Sequence, residues 1–279
     1  MSMPRRMTVK CPACGKSYGT TVFRTLNTDY APDVAESVIS GKRFEAVCPE
    51  CGKISNLEYD IMYHDMKHGA TIWVLHKSEN YDKDVKELKS AQRILPYKMT
   101  RIVENISRLR EKVCCLESGR DDRIVELCKY ILGCDLQGHY PDFKLKNIYY
   151  YYWNEEEKIL FYSTEGKEFQ AELSDDTYDK ISALFKDELL RMPDEPCQII
   201  DEQWAMAMVD KVYEQLDLES DEEIQDITLG PNEKEEEHVQ QQDTEVTQSE
   251  MKPVFCRKCG QKLLEDSLFC SYCGTKVIF

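Results

Sequence analysis

The sequence has no long hydrophobic run and no apolar segment behind its first basic residues. No stretch approaches the ~20 apolar residues that cross a bilayer. Arg5 and Arg6 are not followed by the apolar segment of a secretory signal. We therefore expect a cytoplasmic protein that neither spans nor binds a membrane.

The sequence also lacks the motifs of the common enzyme classes. It contains no phosphate-binding glycine loop and no nucleophile paired with a base. His64 and His68 are four residues apart, but Asp65 follows the first histidine where the metalloprotease helix requires Glu. The two histidines are therefore expected to pack or to lie on the surface. We predict that the protein is not an enzyme. The alternative is an enzyme with a catalytic pocket that the sequence does not reveal.

Positive charge is scarce where a nucleic-acid binder would need it. The net charge is −16, and residues 217–250 contain thirteen acidic residues against one basic residue, Lys234. Residues 1–100 carry fifteen basic and twelve acidic residues, a net charge of +3. An overall basic surface for nucleic acid is thus absent, although a local basic patch remains open.

Cysteine, in contrast, is abundant and regularly spaced. Eight of the thirteen cysteines form four Cys-x-x-Cys pairs, each followed by Gly. A disulfide framework is the alternative, but without an export signal the pairs favour reduced thiolates on metal. A glycine after each pair provides the positive φ of a tight turn. We predict two structural Zn²⁺ sites, one formed by Cys11, Cys14, Cys48 and Cys51, the other by Cys256, Cys259, Cys270 and Cys273.

The two sites differ in the length of chain that they close. Thirty-three residues separate the N-terminal pairs, whereas ten separate the C-terminal pairs, which give a ribbon too small to fold without its ion. Neither set is expected to be catalytic, because four thiolates close the zinc shell and catalytic zinc keeps an open position. Iron that transfers electrons is the second candidate for the metal. A redox-active cysteine pair is the alternative to a metal site, but it uses a single Cys-x-x-Cys.

The hydrophobic patterns predict an α+β fold in four parts. Residues 8–135 should form a zinc-binding antiparallel ribbon followed by helices, and residues 136–216 a β-β-β-α module with a closing helix. Residues 217–252 have too few large apolar side chains to fold and are predicted to be a flexible acidic linker. Residues 253–279 complete the chain as a small zinc ribbon.

The remaining conspicuous residues are assigned to packing. Cys114, Cys115, Cys128, Cys134 and Cys197 lack pair spacing and are predicted to be small buried hydrophobes or inert thiols. The aromatic run 149–153 could stack on single-stranded bases, but alternate strand residues face opposite ways, so a core role is favoured. Asp121 or Asp122 is predicted to cap a helix.

Several short segments of the N-terminal half follow the pattern of a known family. They are Lys10 to Gly15, Leu26-Asn27, Gly41 to Phe44, Cys48 to Gly52, Tyr63 to Asp65, Ile72, Arg101 to Val103, Glu111-Lys112 and Gly119 to Arg123. On these segments, residues 8 to about 135 resemble the CpXC domain, a bacterial and archaeal family. The resemblance implies a zinc-binding domain and no known reaction. Arg120 departs from the pattern, because an apolar residue is expected beside the Asp pair.

The C-terminal cysteines carry a second resemblance. With Cys256, Cys259, Cys270 and Cys273, residues 253–279 resemble the zinc-ribbon tails of many bacterial proteins, which usually serve as interaction modules.

These features together favour a zinc-binding, non-enzymatic protein whose partner is another protein. A nucleic-acid-binding regulator is the alternative, because zinc ribbons often bind nucleic acid and Arg257, Lys258 and Lys262 surround the C-terminal site.

Overall fold

In a computed structural model, residues 4–31, 33–92, 97–192 and 195–216 are described. The acidic segment and the C-terminal ribbon predicted from the sequence lie outside these residues. The strands are β1 (Pro4–Lys10), β2 (Ser17–Phe23), β3 (Thr25–Asn27), β4 (Glu45–Val47), β5 (Ile54–Asn56), β6 (Ile61–Asp65), β7 (Ala70–Val74), β8 (Met99–Val103), β9 (Leu145–Trp153), β10 (Glu156–Ser163) and β11 (Glu168–Glu172). The helices are α1 (Val34–Ile39), α2 (Tyr81–Gln92), α3 (Ile106–Ser118), α4 (Asp122–His139), α5 (Asp175–Arg191) and α6 (Glu202–Leu216).

The α+β prediction is confirmed, and the strands of the described residues form four small sheets. β1 pairs with β2 and β4 with β5, each as an antiparallel hairpin. A mixed sheet has the order β3-β6-β7-β8, in which β3–β6 and β7–β8 are parallel. The sequence predicted only antiparallel pairing in this region, because a hydrophobic pattern does not show strand direction. The fourth sheet, β11-β10-β9, precedes α5 and forms the predicted β-β-β-α module.

The largest apolar core joins the mixed sheet, the aromatic strand and the helices. Tyr63 and Ile72 contribute from neighbouring strands of the mixed sheet, and Tyr150 contributes from β9. Tyr150 is 2% exposed, which supports the core role predicted for the aromatic run. The helix α4 approaches β9 closely at Gly133, where an added Cβ would lie 2.5 Å from the Ile148 side chain. This core therefore extends across residues from both predicted N-terminal parts.

Side chains of α3 occupy the free edge of β9. Arg108 Nη1 donates to the Ile148 carbonyl at 2.8 Å, and Glu111 Oε2 accepts from the Tyr150 N–H at 2.9 Å. Arg108 and Glu111 are one helical turn apart, so they face the same strand edge. A helix thus satisfies backbone groups that an edge strand would otherwise expose.

A chain of alternating charges lies buried between α3, α4 and β8. It begins at Arg101, whose Nε and Nη2 donate to the Asp122 carboxylate at 2.8 and 2.9 Å. Lys112 Nζ lies 3.0 Å from Asp122 Oδ2 and 3.6 Å from Glu126 Oε2. Lys129 Nζ, at 2.8 Å from both Glu126 oxygens, continues the chain.

The chain ends on the α3 residues that meet β9. Lys129 Nζ is also 2.8 Å from Glu111 Oε1, and Arg108 Nη1 lies 3.4 Å from Glu111 Oε2. The side chains of Lys112 and Lys129 are 2% exposed, and those of the three acids are 1 to 3% exposed. The order is Arg101, Asp122, Lys112, Glu126, Lys129, Glu111 and Arg108, with four cations and three anions. The two lysines and the three acids lie too deep for solvent to screen, so each depends on its charged neighbours.

Acid should weaken the fold through this chain. Burial opposes ionisation of Glu111 and Asp122, but the neighbouring lysines and arginines outweigh it and lower the pKa of both carboxyl groups. Carboxyl groups with depressed pKa values stabilise the fold above their unfolded values of about 4, and that stability is lost as the pH falls through the folded pKa. Urea unfolding at pH 7, 5, 4 and 3 should show a free energy of unfolding that is level to about pH 5 and declines below about pH 4.

A variant separates this effect from zinc loss, which acid also causes. Glu111→Gln should decline less steeply with pH, by up to about 1.4 kcal/mol per pH unit for the one proton removed. Zinc release is followed in parallel with a chromophoric chelator. Equal slopes for the variant and the wild type would exclude Glu111 as a source of the acid sensitivity.

Candidate metal centre

Each N-terminal Cys-x-x-Cys pair lies at the tip of a hairpin. In the first, the Cys11 N–H donates to the Lys16 carbonyl and the Gly15 N–H donates to the Cys11 carbonyl, both at 2.9 Å. Gly15 has a φ of +72°, which side-chain-bearing residues rarely adopt. The turn holds both sulfurs of the pair on one side of the hairpin.

The second pair repeats the same geometry between β4 and β5. The Cys48 N–H donates to the Lys53 carbonyl and the Gly52 N–H to the Cys48 carbonyl, again at 2.9 Å, and Gly52 has a φ of +71°. The two turns are equivalent structures from unrelated positions in the sequence. A salt bridge between Lys16 and Glu50 joins them at the surface.

The four N-terminal sulfurs converge as the spacing predicted. Cys11 Sγ is 3.6 Å from Cys51 Sγ, Cys14 Sγ is 3.7 Å from Cys48 Sγ, and all four lie within 4.8 Å of one another. Four sulfurs at the Zn–S distance of about 2.3 Å would be about 3.8 Å apart in a tetrahedron. The donor set and its spacing therefore fit one Zn²⁺ ion.

The pKa values of two of these thiols are shifted in opposite directions. Backbone hydrogen bonds from Cys14 and Ala13 lower the pKa of Cys11 to about 6, although burial raises it. The backbone at Lys53 lowers the pKa of Cys51, but contact with Cys11 and burial outweigh it and raise the pKa to about 12. Because metal ligands must be deprotonated, zinc binding here is expected to release protons.

A small separate core supports the centre. Tyr18, Val22 and Leu57 are buried against Cys11 and Cys48, and Met7 and Val9 pack beside them. This cluster is distinct from the main core.

Family models agree with these features of the sequence. Residues 9–129 match the CpXC protein family. Residues 255–277 match a zinc-ribbon domain, and they include Cys256, Cys259, Cys270 and Cys273. Both predicted resemblances are confirmed. No curated protein and no solved structure matches the chain significantly.

The C-terminal cysteines lie outside the described residues, so their geometry is not part of this structure. No helix among the described residues is both long and apolar enough to cross a membrane.

The other cysteines follow the prediction with one difference. Cys114, Cys115, Cys128 and Cys197 are buried, and burial raises the pKa of Cys114 and Cys128 to about 12, so these thiols stay protonated and unreactive. Cys134 is instead exposed near the end of α4.

The histidines and Arg120 have defined partners. His64 Nδ1 is 2.9 Å from Asn27 Nδ2, and its ring packs edge-on against Tyr97. Arg120, the departure from the family pattern, forms a bidentate pair with Glu157 and lies 4.3 Å from the centre of the Tyr178 ring. An arginine thus packs where an apolar residue was expected, because its guanidinium bridges the helix start to β10 and α5.

The buried charge chain was missed by sequence analysis. Asp121 is the cap of α4, accepting from the Arg123 N–H at 2.9 Å, whereas Asp122 points into the chain. A signal was available: positions 122, 126 and 129 follow the i, i+4, i+7 spacing of one helical face. Charged residues at that spacing, flanked by apolar ones, indicated a buried polar face.

Proposed function

We propose that this protein is a zinc-stabilised, non-enzymatic interaction module of the cytoplasm, which presents its N-terminal zinc end to a partner protein. The observation that supports this most is the closed four-sulfur set, since four thiolates leave zinc no position for substrate or water. The ion would then shape a surface and take no part in a reaction. Reduced thiolates fit a reducing compartment.

The surface around the centre suits a protein partner. All seven residues of β1 are at least partly exposed, and among the described residues only β2 pairs with this strand. An unpaired strand edge is a common docking site for an added strand. Val47, next to the second knuckle, is 58% exposed and offers an apolar contact beside that hairpin.

The C-terminal ribbon would add a second contact. We propose that Cys256, Cys259, Cys270 and Cys273 bind a second Zn²⁺, held on the acidic segment that begins near residue 217. A second module joined to the first through the same chain raises the affinity for a partner that has two sites.

The test is affinity capture with the zinc-loaded full chain and two matched surface variants. Val47→Glu places a charge beside the N-terminal centre, and Leu190→Glu places one on α5, where the side chain is 75% exposed. We expect that the wild type and Leu190→Glu capture the same partner protein. Val47→Glu should capture at least about tenfold less of it than the wild type does. The absence of any specifically enriched protein would contradict the proposal.

A nucleic-acid-binding role is the alternative, favoured by the basic residues of β1, namely Arg5, Arg6 and Lys10. Such binding should weaken steeply as salt rises, because neutralised phosphates release counterions. Fluorescence anisotropy with short DNA and RNA at 50 and 200 mM salt separates the two proposals. Tight, salt-dependent binding that Arg5→Ala and Arg6→Ala abolish would favour this alternative.

A further inference from the structure

The turn between β6 and β7 places two carboxylates and an imidazole beside the end of α3. Candidate ligand atoms of Asp65, His68 and Glu117 lie within 4.8 Å of one another. Asp65 ends β6, His68 belongs to the turn, and Glu117 is in the last turn of α3. The fold, and not a local motif, brings these three donors together.

Asp65 is held rigidly. Its side chain is 1% exposed, Oδ2 accepts from His68 Nδ1 at 2.8 Å, and Oδ1 accepts from the His68 N–H at 3.1 Å. The Tyr63 hydroxyl also donates to Oδ2 at 3.3 Å. No Lys or Arg pairs with this buried carboxylate among the residues that the structure describes, so His68 is the only partner there that can carry a positive charge.

A cavity of about 550 Å³ opens onto the same carboxylates. It lies between α1, the β6–β7 turn, the end of α3 and the β9–β10 turn. Its charged lining consists of four acids and one base, namely Asp29, Glu36, Asp65, Glu117 and Lys67. Thr28 also lines the cavity, and its Oγ1 is buried without a hydrogen-bond partner among the described residues. The cavity therefore offers carboxylate oxygens and an excess of negative charge to a cation.

We propose that Asp65, His68 and Glu117 bind a divalent metal cation at the wall of this cavity. Carboxylates favour hard cations such as Mn²⁺, and an imidazole extends the range to Fe²⁺ and Zn²⁺. Three protein ligands leave open positions toward the cavity for water or an anionic ligand, unlike the closed four-sulfur centre. This site is independent of the proposed interaction role.

Lys67 is the cation that would compete with a metal ion for Glu117. Its Nζ is 3.6 Å from Glu117 Oε2, and its side chain is 71% exposed. An exposed lysine at this distance gains little from the pair and can move into solvent. Metal binding therefore requires the displacement of this mobile side chain and a rearrangement of the hydrogen bond between Asp65 Oδ2 and His68 Nδ1.

Manganese is the probe, because zinc-loaded thiolate sites have little affinity for it. The zinc-loaded full chain is titrated with Mn²⁺, and free Mn²⁺ is followed by its electron paramagnetic resonance signal. We expect one Mn²⁺ per chain. Glu117→Gln should weaken this binding at least about tenfold, the lower bound for loss of a supporting group at a metal site. Glu117 is 28% exposed, so the variant should fold, as checked by circular dichroism and zinc content.

The controls separate ligation from general charge. Glu36→Gln removes the same charge from the same cavity but lies outside the three-residue set, so it should change the affinity less than about threefold. Lys67→Met should tighten binding by removing the competing cation. The absence of Mn²⁺ binding by the wild type at 1 mM would overturn the proposal, and so would equal weakening by Glu117→Gln and Glu36→Gln.

Discussion

Replacing Cys48 with Ser should unfold the N-terminal zinc end while the helical core stays folded. The β1–β2 and β4–β5 sheets have two strands each, and isolated two-stranded hairpins are marginal in water. The cluster around Tyr18, Val22 and Leu57 is too small to hold both hairpins together. Structural zinc supplies about 10–16 kcal/mol of apparent binding energy in small domains. The ion is therefore expected to be the main source of stability for this end.

Hydrogen exchange followed by mass spectrometry gives the local measurement. In Cys48→Ser, or after chelation, the N–H groups of Cys11, Gly15 and Gly52 should lose protection, because the turns that hold them depend on the ion. Amides in the middle of α3 and α4 should keep theirs. Native mass spectrometry should count two zinc ions in the wild type and one in the variant.

Cys134→Ser is the matched control, since this thiol is exposed and lies outside the four-sulfur set. It should retain both ions and full protection of the knuckle amides. A Cys48→Ser chain that loses one zinc ion and still protects the knuckle amides would show that the hairpins are stable without the centre.

Local patterns in the sequence predicted the local parts of the fold well. The motif Cys-x-x-Cys-Gly predicts a turn whose hydrogen bonds are internal. The turns at Gly15 and Gly52, and the cysteine sulfurs before each glycine, could therefore be predicted without a structure. The cap of α4 is equally local: Asp121, one of the two residues predicted for it, accepts from the Arg123 N–H.

What the sequence did not show depends on contacts between distant segments. The parallel pairing of β3 with β6 joins segments that are more than thirty residues apart, and no short pattern encodes it. The grouping of Asp65 with Glu117 requires both the β6–β7 turn and the end of α3 in place. Asp122 was predicted only as a possible helix cap, because most charges are exposed, and its burial depends on contacts with Arg101 and Lys112 from distant segments.

The N-terminal zinc end and the helical core are thus stabilised in different ways. The zinc end has little apolar area and relies on an ion, whereas the helical core has ample apolar area and yet encloses seven charges. A buried ion chain contributes little net stability compared with an apolar core, but it penalises any arrangement that leaves a charge unpaired. Its alternating order connects β8 to α4 and α4 to α3, and so would fix the relative positions of these elements.

That order makes a sharp prediction: Glu126→Gln should be far more damaging than Lys112→Met, although both remove one member of the chain. Without Glu126, the chain splits into two parts that each hold one excess positive charge in the interior. Breaking a buried pair in this way costs about 3–5 kcal/mol. Without Lys112, both remaining parts are neutral. Asp122 keeps both hydrogen bonds from Arg101, and Glu126 keeps Lys129 at both oxygens.

Lys112→Met should therefore change the free energy of unfolding by no more than about 1 kcal/mol, since an apolar side chain of similar length replaces a buried cation. Urea unfolding of the zinc-loaded proteins, followed by helical circular dichroism, measures both variants under one condition. The double variant supplies the coupling energy: removing Lys112 as well as Glu126 leaves one excess positive charge in place of two, so it should recover part of the loss. Equal losses in the two single variants, with no recovery in the double, would show that the order of charges along the chain is irrelevant and that each residue acts only through its own burial.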